Sequence, residues 1–187
     1  MKFPEIREIE TKDLVLRKIR RDDVSLYFQR IGSREKVTRY MLFHPHKDIS
    51  ESVESVEKAL RRYEAGKCYR WAIALKCDHS IIGIIELLRF DEADNSCSFA
   101  YMISDDFWGR GFGTQALKAV LGFAFSEMGA SAVDADHMAD NAASGAVMRK
   151  AGMTYVGTDK GKYEKNGQVH DALMYRITVQ QWKSRNS

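Results

Sequence analysis

The sequence predicts an α+β fold: a three-layer α/β/α arrangement around a mixed, mostly antiparallel sheet. Two observations carry this. Strand and helix patterns follow the order β, α, α, three β, α, β, α, β, β. The three consecutive strands in the middle are separated only by short turns, which marks an antiparallel meander. A third observation sets the scale: 187 residues, 44% hydrophobic and 29% charged, suit a single domain over 1–187 with its own core.

The elements follow in order. Residues 14–17, Leu-Val-Leu-Arg, form a short first strand. Asp22 or Asp23 caps a helix whose apolar face is Val24, Tyr27, Phe28 and Ile31, and Gly32 ends it. Residues 37–48 carry aromatics, His44, His46 and Pro45 and predict a loop. A second helix starts near Ser50, with Ile49, Val53, Val56, Leu60 and Tyr63 on one face and Gly66 as its stop. Strands at 69–76, 81–90 and 96–103 alternate or run apolar, joined by turns at 77–80 and 91–95. Residues 114–128 are a helix: Ala116, Leu117, Val120, Leu121, Ala124, Phe125 and Met128 share a face, and Gly129 fits a left-handed cap. A strand at 132–138 turns Val133, Ala135 and His137 one way. Residues 140–144 open a short helix ending at Gly152. A strand at 153–157, a turn over 160–168 through Asn166-Gly167, and a last strand at 169–179 complete the chain.

The chain is organised around the segment between the third meander strand and the long helix, Trp108-Gly109-Arg110-Gly111-Phe112-Gly113-Thr114. Three glycines in five residues leave backbone N–H groups unobstructed just before the positive end of a helix dipole, which is how a phosphate is cradled. A flexible turn feeding a helix has the same local pattern. The spacing is not that of a P-loop, because no Lys-Ser/Thr follows the last glycine, and not GxGxxG, because the glycines alternate.

Bulk properties narrow the function. No apolar run reaches a membrane span, and the charged N-terminus lacks the apolar core of a signal peptide, so a cytoplasmic protein is expected. Cys68, Cys77 and Cys97 show no CxxC spacing and read as reduced thiols, with no metal site expected. A net charge of +3 is too weak to argue for nucleic acid. Residues 91–140 hold nine acids against only Arg110 and Lys118, either a solvated rim or a lure for a cationic acceptor.

Phe107 to Thr114 resembles the acetyl-CoA signature of the GNAT N-acetyltransferases, in the aromatic-Trp-Gly-basic-Gly-aromatic-Gly-Thr form usual for the ribosomal-protein N-terminal acetyltransferase (RimJ/RimL-like) branch. Trp108 stands where the wider family has Gln or Arg. A second motif lies at compatible spacing, Asn141-x-x-Ser144 at a helix start and Lys150-Ala151-Gly152-Met153 at its end, and the resemblance covers roughly residues 11 to 182. It implies a twisted sheet with a splayed central strand pair and helices on both faces. It implies acetyl-CoA as the only cofactor, held by Tyr101, Met102, Ile103, Trp108, Gly109, Arg110, Gly111, Phe112, Gly113, Thr114, Asn141, Ser144 and Lys150. Asn141 is equally a helix cap, Ser144 a second helix-start hydroxyl and Lys150 a solvated charge.

Acetyl transfer from a thioester to an amine needs a deprotonated amine, donors for the oxyanion and help for the thiolate. The resemblance places the oxyanion donors on the backbone around Tyr101 to Ile103. Its usual acid, a tyrosine seven residues after the Asn, is Met148 here, which leaves Ser144; its usual base position is Ser98, which cannot serve. Glu86, an acid embedded in an apolar strand, is the candidate base, with His137 a weaker one. Tyr40, Phe43, His44 and Tyr163 are expected to wall an apolar, aromatic acceptor groove. The expected reaction is direct transfer to a primary amine, foremost the α-amine of a peptide or protein N-terminus. A small amine such as a polyamine or antibiotic, a catalytically reduced CoA-binding regulator and a nucleotide-binding module are the alternatives. Neither nucleic acid nor membrane is expected as a partner, and a homodimer is left open.

Overall fold

In the computed structural model, residues 1–66 and 68–186 are described; Lys67 and Ser187, both inside the expected 1–187 domain, lie outside that set. One 8-stranded sheet runs through the molecule in the order β1-β2-β3-β4-β5-β6-β8-β7. The strands are β1 (Ile9–Glu10), β2 (Leu14–Arg17), β3 (Tyr69–Leu75), β4 (Ile81–Asp91), β5 (Ser96–Ile103), β6 (Ala132–Met138), β7 (Thr154–Lys165) and β8 (Gln168–Thr178). Every neighbouring pair is antiparallel except β5–β6. The expected α+β class, with helices on both faces of a mixed and mostly antiparallel sheet, is what the chain adopts.

One face of the sheet packs under α4 (Phe112–Ser126). Leu117, Val120, Leu121 and Ala124 are fully buried there against Trp71, Ile73, Ile82, Ile85 and Val133. The opposite face carries α1 (Val24–Tyr27), opened by a 3₁₀ turn and closed by a π turn through Gly32, and α3 (Ile49–Glu64). Tyr27, Ile31, Val56 and Ala59 close a second core over Ala72, Ile84 and Met102. Alternation along β4 and β5 feeds both cores, as expected for strands buried on two sides. Where β4 meets β5, Gly83 is required by close approach: a Cβ there would sit 2.4 Å from the Met102 carbonyl oxygen.

The bend from β2 into α1 is locked by a buried pair. Arg17 donates from Nη1 to Asp23 Oδ2 and from Nη2 to Asp23 Oδ1, each at 2.7 Å, with side-chain exposures of only 5% and 7%. The Arg20 N–H also donates to Asp23 Oδ2, at 2.8 Å, and Arg17 Nη2 reaches the His79 carbonyl. Asp23 therefore does more than cap a helix; it neutralises a cation the sheet has buried.

Four boundaries differ from expectation. The loop expected from residue 37 begins only after α2 (Glu35–Thr38), where Thr38 Oγ1 donates back to the Arg34 carbonyl. The long helix starts at Phe112, because Gly111 takes the left-handed N-cap position and leaves Phe112 and Gly113 helical. Residues 160–165 are strand, since the hairpin absorbs its irregularity in register shifts around Gly157 and Gly161 and reverses only at Asn166-Gly167. The last strand ends at Thr178 and gives way to an unforeseen helix α6 (Val179–Asn186), whose Trp182 packs on Phe125 at 5.9 Å.

The feature that makes a site is the parting of β5 from β6. They pair only over Ser96–Ser98 and Ala132–Asp134. Beyond that, residues 99–103 of β5 have no strand partner on the β6 side among the described residues. The helix α5 (Ala142–Lys150) contacts α4 and β6 near that opening.

Candidate active site

Two cavities flank the parted strands. The first, about 650 Å3, is lined by residues 101–103 of β5, by Phe107, Trp108, Gly109, Gly111, Phe112, Gly113 and Thr114, and by Asn141, Ser144 and Lys150. The loop is pinned at its start: Trp108 Nε1 donates to the Ile103 carbonyl at 2.8 Å, and Arg34 holds Asp105 and Asp106. Gly111 lies at φ +79 and opens α4. The first helical N–H with an intrachain acceptor is that of Gln115, which donates to the Gly111 carbonyl at 3.0 Å. The N–H groups of residues 112–114 are thus the free donors of a helix start. No heavy atom lies within 4 Å of where a Cβ would stand on Gly109 or Gly111, so the space above the loop is open. Lys36, Arg39 and Lys150 also border this cavity. Open donors at a dipole's positive end, with three cations at the rim, fit a pyrophosphate-bearing substrate. Arg110 is outside the lining and stacks its guanidinium 5.2 Å over the Phe107 ring.

Asn141 caps α5 through Oδ1, which accepts from the Ser144 N–H at 3.3 Å. The cap uses the carbonyl oxygen and not the amide nitrogen, so it does not exclude the second reading of this residue. Ser144 Oγ donates to Tyr101 Oη at 3.1 Å.

The second cavity, about 600 Å3, runs along the same opening on the side of Leu88, Ser98, Ala100, Asp134, Asp136 and Met138, under Tyr40, Met41, Leu42 and Tyr163. Tyr40, Met41, Tyr101, Asn141 and Ser144 line both cavities and mark where they meet. Of the four residues expected to wall an acceptor groove, Tyr40 and Tyr163 do so. Phe43 and His44 lie outside the lining, and Phe43 instead approaches His46 at 6.0 Å.

The groove is not the purely apolar surface expected. Asp136 Oδ2 accepts from Lys162 Nζ at 2.8 Å and its Oδ1 from the Tyr163 hydroxyl, with Arg89 3.8 Å away. Asp134 meets Arg176 at 3.2 Å, and Arg176 also holds Asp94. Burial pushes the Asp134 carboxyl above the usual range, against the pull of Arg176. Burial, then the Asp136 carboxylate, pushes the Tyr163 phenol up to about 12, so it stays protonated. These carboxylates belong to the acidic stretch at 91–140. The sequence left them as either a solvated rim or a lure for a cationic acceptor, because which side of β6 faces a groove depends on the parting of β5 and β6.

The two expected bases fare differently. Glu86 shares the groove's side of the sheet, opposite Ala100 in register, yet it is not part of the lining and leans toward Arg62 at 3.9 Å. His137 turns under α5: its Nδ1 bonds the Met138 carbonyl at 2.8 Å, and its buried Nε2 has no partner and faces Gly145, where a Cβ would come within 2.6 Å. The ring stacks on Tyr175 and is also among the residues that line the second cavity. Met148 is buried and carries no proton to give. Among the described residues no helix is long and apolar enough to cross a membrane, and no cluster of His, Cys, Asp and Glu could hold a metal.

Comparison with known proteins agrees with this geometry. The acetyltransferase (GNAT) domain model matches residues 13–154. An uncharacterized N-acetyltransferase, YoaA of Bacillus subtilis, is 26% identical over 169 residues, 90% of this chain and 95% of that protein. Spermidine N(1)-acetyltransferase of Escherichia coli is 22% identical over 167 residues, 89% of this chain and 87% of its own. The crystal structure of a ribosomal-protein-S5-alanine acetyltransferase from Vibrio fischeri superposes with a TM-score of 0.79 at 16% identity, covering 95% of this chain and 99% of the other. With a glycine loop opening α4, an Asn-x-x-Ser start to α5, a parted strand pair between them and a family match over most of its length, the chain belongs to the GNAT family of acetyl-CoA-dependent N-acetyltransferases.

Proposed function

We propose that the chain transfers the acetyl group of acetyl-CoA directly to the α-amine of a peptide or protein N-terminus. The carrying observation is the state of the groove's carboxylates: Asp136 is committed to Lys162 and Tyr163, and Asp134 to Arg176. A polyamine needs carboxylates free to meet separated ammonium groups. Of the carboxylates in the lining, Asp91 makes no ion pair among the described residues, and its Oδ1 accepts from the Ala93 and Asp94 N–H groups. A groove whose two β6 carboxylates already pair, roofed by Tyr40 and Tyr163, suits a chain of mixed character with one amine at its end.

The glycine loop and the N–H groups of residues 112–114 hold the pyrophosphate, with Lys36, Arg39 and Lys150 at the rim. The unpaired backbone of β5 at Tyr101 to Ile103 turns donors toward the carbonyl oxygen that gains charge. The amine attacks at the meeting of the two cavities, and the leaving thiolate is met by the hydroxyl pair Tyr101–Ser144. An α-amine, with an ordinary pKa near 8, is partly neutral without a strong base. Glu86, on the groove's side of the sheet but outside its lining, remains the expected base and would take the amine's proton through water. Holding both substrates at one junction supplies most of the rate.

A polyamine acceptor is the second reading, favoured by the presence of Asp134 and Asp136 in the groove and by the spermidine acetyltransferase relative. The test offers short peptides with free N-termini against spermidine under limiting acetyl-CoA. Peptide acetylation is expected. Acetylation of spermidine alone overturns the assignment.

A further inference from the structure

Three hydroxyls line both the groove and the acetyl-CoA cavity, those of Tyr40, Tyr101 and Ser144, and only one of them has a proton to spare: Tyr40 Oη spends its own on the Asp140 carbonyl at 3.2 Å. Ser144 Oγ spends its hydrogen on Tyr101 Oη at 3.1 Å. The phenol's own hydrogen has no acceptor among the described residues. We propose that Tyr101 is the proton donor to the departing CoA thiolate, and that Ser144 is a positioning residue behind it. This rests on the acetyl-transfer reading above.

The geometry fixes Tyr101 for that task. Its ring stacks on Phe99 with centroids 6.2 Å apart and also meets Gly113, where a Cβ would lie 3.5 Å from Tyr101 Cε2. The hydroxyl is thereby held at the border that both cavities share. Ser144 occupies the first turn of α5, so the positive end of that helix faces any charge that grows on Tyr101 Oη.

Acid strength favours the phenol. An ordinary tyrosine has a pKa of about 10, near the roughly 8.5 of a thiol, whereas an aliphatic hydroxyl is a far weaker acid. Burial pushes the Tyr101 phenol up, with the Ser144 hydrogen bond opposing it, so the group is protonated at neutral pH before reaction. The step balances. The acceptor nitrogen forms the C–N bond, the C–S bond breaks, and sulfur takes the Tyr101 Oη proton. Ser144 stabilises the phenolate by its hydrogen bond. The proton released by the acceptor amine passes through water and Glu86 to solvent, and solvent returns one to Tyr101.

The test compares wild type, Tyr101→Phe and Ser144→Ala in single-turnover transfer to a peptide amine, with acetyl-CoA and with its selenium analogue. The selenolate is a much weaker base than the thiolate and leaves without a proton. Tyr101→Phe is expected to slow transfer from acetyl-CoA about a hundredfold, the low end for general acid help. With the selenoester the loss should shrink to about twofold, and Ser144→Ala should show a smaller loss with the same rescue. Acetyl-CoA affinity, measured by calorimetry, should hold in both variants. An undiminished rate in Tyr101→Phe, or an equal loss with both donors, overturns the proposal. A wild-type protein that transfers nothing to any amine overturns the acetyl-transfer reading itself, and this inference with it.

Discussion

Gly111→Ala separates the backbone role of the glycine loop from its ligand role. Gly111 sits at φ +79 and ψ 0, left-handed, at the N-cap of α4. No heavy atom lies within 4 Å of the added methyl, so the folded protein meets no clash and the cost is conformational strain alone. That strain is about 1 kcal/mol, which for a chain of this size lowers Tm by about 2–4 °C. Gly129, at φ +68 with equally open space at the end of the same helix, gives the matched control, because Gly129→Ala adds the same strain far from the loop. The methyl on Gly111, however, enters the space where a pyrophosphate approaches the N–H groups of residues 112–114. Acetyl-CoA affinity should fall tenfold or more in Gly111→Ala, ~1.4 kcal/mol, and stay unchanged in Gly129→Ala. Calorimetric titration and thermal melts on both variants read the two quantities separately. Equal affinities alongside equal melting shifts would refute the cradle and leave the loop a structural turn.

Three further outcomes follow from the packing. Asp23→Ala strands the buried Arg17 guanidinium and should cost about 3–5 kcal/mol in urea unfolding, far beyond the loss of a helix cap; a loss below about 1 kcal/mol would mean that water reaches Arg17. Asp134 has its folded-state carboxyl raised by burial, so its contribution to stability is present below the ordinary carboxylate range and is lost as pH rises through the raised value. Asp134→Asn, which cannot ionise, should therefore gain stability relative to wild type as pH rises above the ordinary carboxylate range of about 4, and a parallel pair of pH profiles would contradict this. Lys165→Met removes the Nζ that donates to the carbonyls of Thr38 at 2.9 Å, Met41, and Phe43 at 3.4 Å, tying the hairpin to the loop above the groove. The KM for the acceptor should rise about tenfold while the KM for acetyl-CoA stays level, and matched shifts in both would show a general loosening instead.

The parts of the molecule legible in the sequence were those where a residue type is forced locally. The glycines of 109–113, the apolar face of α4 and the Asn141 cap each answer to constraints within a few residues, and each appeared where expected. The turn expected over 160–168 is confined to Asn166-Gly167, and Gly157 and Gly161 both lie within the strand. In the structure they sit at register shifts, and the partner strand β8 keeps both halves in the sheet. Helix α6 escaped because residues 179–186 carry little periodicity of their own, and Trp182 finds its place only against Phe125 on another helix.

The site divides along the same line. The end proposed to take the pyrophosphate is built from one continuous loop and helix start, so its chemistry can be read residue by residue. The reacting end is built across distance: Tyr101 on β5 and Ser144 on α5 meet 43 positions apart, and Asp136 meets Tyr163 27 apart. Along β5, Tyr101 falls in the alternation of Cys97, Phe99 and Ile103, and its ring is packed with that core; the resemblance pointed to the backbone there and not to its hydroxyl. Only the parting of β5 from β6 leaves its hydroxyl at an opening rather than inside a closed ladder. The same parting turns Asp134 and Asp136 from a solvated rim into the floor of a groove. A parallel pair that ran in register to its end would close both cavities. The single parallel pairing in an otherwise antiparallel sheet, kept to three residues, is therefore what converts a glycine loop and a set of scattered polar side chains into a place where two substrates can meet.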